Sequence, residues 1–363
     1  MNRARRGGVA VMLAVAGTFL AGGAAAQDAD LLYVAIQGEA KVAVVDMGSL
    51  EEVARIDLTE LGFTGNAKPH HIAVEPDGSH WYLSLIGENR VLKFDRENRL
   101  VDQAQFEVPG MLAVHPTRDL LFVGRSMSAV NPPERIGAIG RSDMEVDELD
   151  VFFPRPHALT LAADGERVYS ASLAVNQLAA VDVETGDMEL TDIAGPVHTL
   201  VQFAASPDGR TLVGTAELTG LLLVFDLADP DHPSLRAEIP VGRQPWHPVF
   251  AADGRTVYFG NKMDHTVVAV DVDAGDVIWR TEDMGLNHPH GSALSRDGRH
   301  LFISSNGPGG MQMGEMEMEA GHDMHAAHRA STGTLTVLDT RDGSVVKVLE
   351  MGENATGLGA RTR

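Results

Sequence analysis

A repeat with a period in the forties runs through the chain and limits its fold more than any other feature. It is anchored by a tight turn, clearest at Pro76-Asp77-Gly78, whose aspartate position recurs at intervals of 49, 40, 47, 44, 45 and 44 residues. The seven equivalent positions are Asp28, Asp77, Thr117, Asp164, Asp208, Asp253 and Asp297. A period of this length, with several short β-rich runs in each repeat, is typical of propeller blades and not of helical solenoids. The sequence therefore predicts an all-β, seven-bladed β-propeller.

The order of strands within the repeat also predicts how the ring closes. About five residues after each anchor comes an apolar strand such as Trp81-Tyr82-Leu83, and β-branched runs bounded by Gly, Asp and Asn follow it. The first anchor lies too near the N-terminus for an innermost strand, whereas residues 351–363 are strand-like and belong to no repeat. We expect the C-terminal strand to pair with the N-terminal blade, because closure removes free sheet edges. One propeller domain is therefore assigned to residues 27–363.

Residues 1–26 have the pattern of a secretory signal peptide. Basic residues precede an apolar stretch at positions 9–20, and Ala24-Ala25-Ala26 forms a small-residue cleavage site before Gln27. No later segment approaches the ~18 apolar residues of a membrane span. We expect a periplasmic or secreted protein that is soluble after removal of the signal peptide.

Charge and cysteine content narrow the classes of partner. The formal net charge is −22, from 51 acidic and 29 basic residues, which disfavours nucleic acid and anionic membranes and makes cations the natural ligands. The same charge also fits an acidic surface that only keeps the protein soluble. With no cysteine, the chain has neither disulfides nor thiolate metal ligands.

Histidines recur just upstream of the anchors, where the innermost strands begin and converge on the central channel. The candidate channel ligands are His70, His71, His157, His198, His247, His288 and His290. A single histidine at such a place is more often structural, but imidazole is also the commonest protein ligand for Cu, Zn, Ni and Fe. Seven candidates allow either a multinuclear centre or one ion, which takes about four ligands, with spare histidines. Adjacent His70 and His71 can serve one centre only if the strand is irregular there, because neighbouring side chains of a regular strand face opposite ways.

A second candidate metal site is an insertion at residues 306–331, between the second and third strands of the last complete repeat. Its potential ligands are Met311, Met313, Met316, Met318, His322, Met324, His325 and His328. Thioethers select Cu(I), whereas imidazole with carboxylate also accepts Cu(II) or zinc. The alternative is a low-complexity loop whose methionines act as oxidant sinks. We expect this loop to capture or deliver copper, with zinc as the other metal to consider.

Two resemblances follow from these motifs. The pattern from Pro69-His70-His71 to Pro76-Asp77-Gly78, followed by Tyr-Val-type strands, resembles the YVTN family of seven-bladed propellers. The His70-His71 pair with single histidines in later blades resembles the propeller domain of nitrous oxide reductase, which implies a histidine-bound copper cluster. The cupredoxin-type domain of those reductases needs cysteines, and this chain has none.

Three interpretations of function remain open from sequence. The first is an exported copper-binding propeller that exchanges metal with a periplasmic metal-handling protein. The second is a copper oxidoreductase similar to nitrous oxide reductase, served by a separate electron-donor protein. The third is a metal-free interaction scaffold or a lactonase-like hydrolase, for which Asp264-His265 is a possible His-carboxylate pair.

Overall fold

The structure, a computed structural model, describes residues 29–308 and 331–362. In these residues, seven four-stranded antiparallel sheets form the blades, and only two short 3-10 helices occur, Ile86–Glu88 and Lys262–Asp264. Blade 1 contains β1 (Leu31–Ile36), β2 (Lys41–Asp46), β3 (Glu51–Asp57) and, as its innermost strand, β28 (Ala355–Arg361). Blade 2 contains β4 (Pro69–Val74), β5 (His80–Leu85), β6 (Arg90–Asp95) and β7 (Leu100–Gln105). Blade 3 contains β8 (Pro109–Val114), β9 (Leu120–Arg125), β10 (Arg135–Gly140) and β11 (Val146–Asp150).

The remaining blades repeat the same order from the inner to the outer strand. Blade 4 contains β12 (Pro156–Leu161), β13 (Arg167–Ser172), β14 (Gln177–Asp182) and β15 (Met188–Asp192). Blade 5 contains β16 (Leu200–Ala205), β17 (Thr211–Ala216), β18 (Leu221–Asp226) and β19 (Ser234–Pro240). Blade 6 contains β20 (Val249–Phe250), β21 (Thr256–Asn261), β22 (Thr266–Asp271) and β23 (Asp276–Glu282). Blade 7 contains β24 (Pro289–Leu294), β25 (His300–Ser305), β26 (Gly333–Asp339) and β27 (Val345–Gly352).

Closure of the ring by the C-terminal strand is confirmed. Strand β28 runs antiparallel to β1, with Leu31 opposite Arg361 and Tyr33 opposite Gly359. The Arg361 guanidinium donates to the Tyr33 hydroxyl at 3.1 Å and to the Arg96 carbonyl at 2.8 Å, so it also ties blade 1 to blade 2. Both edges that would otherwise be open are thereby paired.

Hydrophobic layers between neighbouring blades form the core. Middle strands such as β2 and β22 are apolar on both faces because each blade is covered by a blade on either side. Between blades 1 and 2, Trp81 is stacked between Tyr33 and Phe94, with ring centroids 4.5 and 4.1 Å away. Outer strands such as β23 alternate between exposed and half-buried residues, as expected where one face meets solvent.

The innermost strands begin irregularly, and this places the candidate site. The pairing register shifts between Pro69 and Ile72 in β4, and equivalent shifts occur near the start of β8, β12, β16 and β24. Such bulges re-aim side chains that a regular strand would send to alternate faces.

Within the described parts of the chain, no helix has the length and apolarity to cross a membrane.

Candidate metal centre

Five of the seven predicted channel histidines meet at the mouth of the channel. The ring centroids of His247 and His290 are 4.6 Å apart, those of His70 and His290 are 5.7 Å apart, and those of His71 and His247 are 5.9 Å apart. His157 lines the same cavity as His70, His247 and His290. The five imidazoles come from blades 2, 4, 6 and 7, so the fold gathers side chains that are up to 220 residues apart in sequence.

The irregular strand starts explain how neighbouring histidines reach one cluster. The register shift between Pro69 and Ile72 encloses His70 and His71, and both rings contact histidines from other blades. The strand is therefore irregular at His70 and His71, as it must be if both side chains are to serve one centre. Gly357 of β28 lies so close to the His70 carbonyl that a Cβ there would clash with it, which fixes the backbone of β4 at this point.

In blade 6 a proline sets the position of His247. Because Pro248 has no N–H, β20 is reduced to two residues, and the chain before it makes only an isolated bridge from Pro245 to Asn261. The backbone N–H of Trp246 donates to the Gly260 carbonyl at 2.9 Å. The backbone N–H of His247 instead donates to the His290 carbonyl of blade 7, at 3.4 Å. His247 is thereby drawn toward His290.

Burial keeps the five imidazoles neutral. Desolvation lowers the pKa of His70 from 6.5 to about 4, and that of His71 and His157 to about 3, with the neighbouring histidines adding to the shift of the latter two. The same causes hold the pKa values of His247 and His290 well below the usual range. Neutral imidazole is the form that binds metals, because one ring nitrogen keeps its lone pair.

Hydrogen bonds distinguish the rings from one another. His70 Nδ1 lies 3.2 Å from the Gln37 side-chain oxygen, so Nδ1 carries the proton and the Nε2 lone pair is available. His71 Nδ1 instead accepts the Leu112 N–H at 3.2 Å, which puts the proton of its neutral ring on Nε2. The Nδ1 atoms of His157 and His290 are buried and have no hydrogen-bond partner among the described residues. Of the five, His71 is the least suited to donate a lone pair.

The cavity is small and free of carboxylates. Its volume is about 200 Å³, and its lining includes four of the five histidines, His71 being the exception. The other lining residues are Gln37, Lys68, Ile86, Ser126, Met127, Ser128, Trp246, Asn306, Asn354 and Thr356. No Asp or Glu is found among these described lining residues, although the chain carries 51 acidic side chains.

The structure does not bring His198 and His288 to this cavity. His198 donates from Nε2 to the Ala194 carbonyl at 3.3 Å and accepts at Nδ1 from the Thr219 hydroxyl at 2.9 Å, so both ring nitrogens have local partners. The His288 ring packs on His265 with centroids 4.5 Å apart. His198 lies ten residues before its anchor Asp208 and His288 nine before Asp297, whereas the other five lie six or seven residues before theirs, so these two do not share that register.

Two further sequence predictions concern the Asp264-His265 pair and the Met/His insertion. In the Asp264-His265 pair, both Asp264 carboxylate oxygens accept from Arg243, at 2.5 Å from its guanidinium and 2.7 Å from its backbone N–H, and His265 Nδ1 accepts the His288 backbone N–H at 3.2 Å. The predicted ligands of the Met/His insertion, residues 311–328, lie outside the described residues. Asn306 and Gly307, just before that segment, donate to the carbonyls of blade 7 residues 288 and 287.

As the side chains stand, the described residues contain no set of three or more His, Asp or Glu side chains that could hold a metal ion. The donor chemistry of the cavity fits a transition metal, but ligation requires the rings to turn. His157 and His290 can turn without breaking a hydrogen bond at Nδ1.

Among the cavity residues that sequence reasoning missed, Trp246 and Gln37 contact the histidine rings directly. Trp246 packs on His290 with centroids 5.4 Å apart, and its position beside His247 was a signal available in the sequence. Gln37, the partner of His70, lies in the loop between β1 and β2, where no motif marks it.

Comparisons with known proteins identify the fold alone. No family model matches the chain, and no curated protein matches it. A crystal structure of a functionally unknown protein from Desulfotomaculum acetoxidans DSM 771 is similar over 91% of this chain and 98% of that one, with a TM-score of 0.69 and 13% identity. The dihydro-heme d1 dehydrogenase NirN, in complex with DHE, is similar over 90% of this chain and 74% of that one, with a TM-score of 0.57 and 18% identity. These matches leave the YVTN type and the likeness to nitrous oxide reductase unconfirmed.

Proposed function

We propose that this protein binds a copper ion in the cavity at the channel mouth, through His70, His157, His247 and His290. The observation that carries the proposal is the convergence of four buried, neutral imidazoles from four blades on one small cavity. Four nitrogen donors match the coordination number of a single ion. The hydrogen bond from His70 to Gln37 is the kind of outer contact that orients a metal-binding imidazole.

The choice of metal rests on the donor set. Calcium and magnesium prefer oxygen ligands, and the cavity lining offers no carboxylate. Imidazole suits copper, zinc, nickel and iron, and for a given nitrogen site Cu²⁺ binds more tightly than Zn²⁺. Bound copper would supply a redox-active centre with exchangeable coordination positions. The chain itself would position the imidazoles and exclude bulk water from them.

Cavity size argues against a tetrapyrrole of the kind named for the NirN dehydrogenase. Pockets for drug-sized ligands measure roughly 300–1,000 Å³, and this cavity measures about 200 Å³. An ion with a small ligand fits that volume, whereas a macrocycle needs more.

The Met/His insertion extends the proposal. Its thioethers and imidazoles suit the capture of copper before transfer to the cavity, and its first residue, Asn306, lines the cavity. Deleting residues 311–328 should slow copper uptake and leave the thermal unfolding midpoint unchanged, because the insertion lies between two strands of the repeat. Equal uptake rates with and without the segment would refute the capture role.

Metal analysis of the purified full-length chain separates the interpretations. We expect one copper per chain after loading and desalting, with zinc displaced when copper is added. Several coppers per chain with a strong visible absorption band would favour an oxidoreductase similar to nitrous oxide reductase. A chain that retains no metal would contradict the proposal and leave a metal-free scaffold.

A further inference from the structure

The cavity has more room than a metal ion fills. A water molecule in the liquid occupies about 30 Å³, whereas the cavity volume is about 200 Å³. The volume left beside four imidazoles and an ion accommodates a ligand of a few atoms.

The charges around the cavity favour a negative ligand. Four neutral imidazoles contribute no charge to balance a bound cation, and the described lining residues include no carboxylate. Lys68 lines the cavity, and the Lys262 ammonium lies 5.0 Å from the centre of the Trp246 ring, which also lines it. Once the ion is bound, these two ammonium groups and the ion make the cavity a region of positive charge in a chain whose net charge is −22.

Trp246 provides a hydrogen-bond donor for such a ligand. The residue is 4% exposed, and its buried indole N–H has no hydrogen-bond partner among the described residues. Buried polar groups in proteins almost always have a partner, and the indole nitrogen can only donate. The indole ring lines the cavity, and an acceptor that reaches this nitrogen from the cavity would satisfy it.

We infer that the cavity binds a small monovalent anion, which coordinates the copper ion and accepts a hydrogen bond from the Trp246 indole. This inference rests on the proposed copper site and assigns to it a binding position for an external ligand. It makes Trp246 a residue that selects the ligand and not one that holds the metal.

The test uses the copper-loaded full chain and sodium azide. Copper content is measured first, and azide is then titrated while its charge-transfer absorption band and the electron paramagnetic resonance spectrum are recorded. We expect saturable binding of one azide per copper. A hydrogen bond to a charged group contributes enough that Trp246→Phe should weaken azide binding roughly tenfold, measured per bound copper. Trp279→Phe, the same substitution on the outer strand β23, should bind azide as the native chain does.

The outcomes distinguish the two proposals. A chain that holds no copper contradicts the copper site and this inference together. Copper that is retained but shows no spectral response to azide overturns the inference alone. Azide affinity that is equal in the Trp246→Phe and Trp279→Phe proteins overturns the role given to Trp246.

Discussion

At the scale of single residues, the imidazoles of the cluster differ in what their Nδ1 atoms bind. His70 donates to Gln37, whereas His71 accepts from the Leu112 backbone. Only the first arrangement leaves the Nε2 lone pair available, so adjacent residues with the same side chain have different capacities for metal.

This difference predicts unequal effects of one substitution. His70→Gln should lower copper affinity at least tenfold, because a ligand is removed, whereas His71→Gln should leave it within about threefold of the native value. Competition with a chromophoric chelator measures both, and His198→Gln, outside the cavity, is the matched control. Equal losses for His70→Gln and His71→Gln would show that the assigned tautomers are wrong.

The buried histidines also make the stability of the metal-free protein depend on pH. The pKa of His157 is about 3 in the folded chain and 6.5 ordinarily. The unfolded chain therefore binds an additional proton below pH 6.5, and the free energy of unfolding falls as the pH is lowered from about 6.5 toward 3. Between those pH values, each such histidine lowers the free energy of unfolding by about 1.4 kcal/mol for each pH unit of acidification.

Urea unfolding at pH 7 and pH 5 tests this. His157→Gln should reduce the difference in unfolding free energy between the two pH values. A His157→Gln protein with the native pH dependence would mean that His157 is accessible to protons in the folded state.

The sequence could predict part of the cluster at this scale. The strand-start register identified His70, His71, His157, His247 and His290, because the repeat places those positions around one axis. It could not exclude His198 and His288, since loops do not keep a strand register. It could not find Gln37, because a contact between a loop of one blade and the innermost strand of the next leaves no pattern in either.

At the scale of strands, the bulge at the start of β4 and the shortened β20 give the cluster its geometry. The repeat predicts where the strands lie, but it does not predict a register shift of one residue or a hydrogen bond between neighbouring blades such as that from the His247 N–H to the His290 carbonyl. The sequence identified an irregular start only as a condition for joint binding by His70 and His71. The structure meets that condition.

Ring closure by β28 yields a prediction at the same scale. Leu358 is buried among the apolar residues between blades 7 and 1. Leu358→Ala should lower the free energy of unfolding by roughly 2–5 kcal/mol through lost burial and the cavity it leaves. Val348→Ala, on the exposed face of β27, should change it by about 0.5 kcal/mol or less. Chemical denaturation measures both, and similar values for the two variants would mean that closure contributes little to stability.

At the scale of the whole molecule, the propeller combines an acidic chain with a cavity whose described lining residues include four neutral imidazoles and no carboxylate. Seven blades direct the starts of their innermost strands to one point, and four of them supply the cavity histidines. The strands hold the backbones, and among the described residues the buried Nδ1 atoms of His157 and His290 have no hydrogen-bond partner, so turning these rings would break no hydrogen bond there. The fold alone, shared with proteins that are 13% and 18% identical, does not decide the chemistry of this cavity.

The most direct test is anomalous X-ray scattering at the copper absorption edge from crystals of the copper-loaded full-length chain. We expect one strong anomalous peak in the channel-mouth cavity, within about 2.0–2.1 Å of imidazole nitrogens of His70, His157, His247 and His290. A cavity without anomalous density, in crystals whose copper lies elsewhere or is absent, would contradict it.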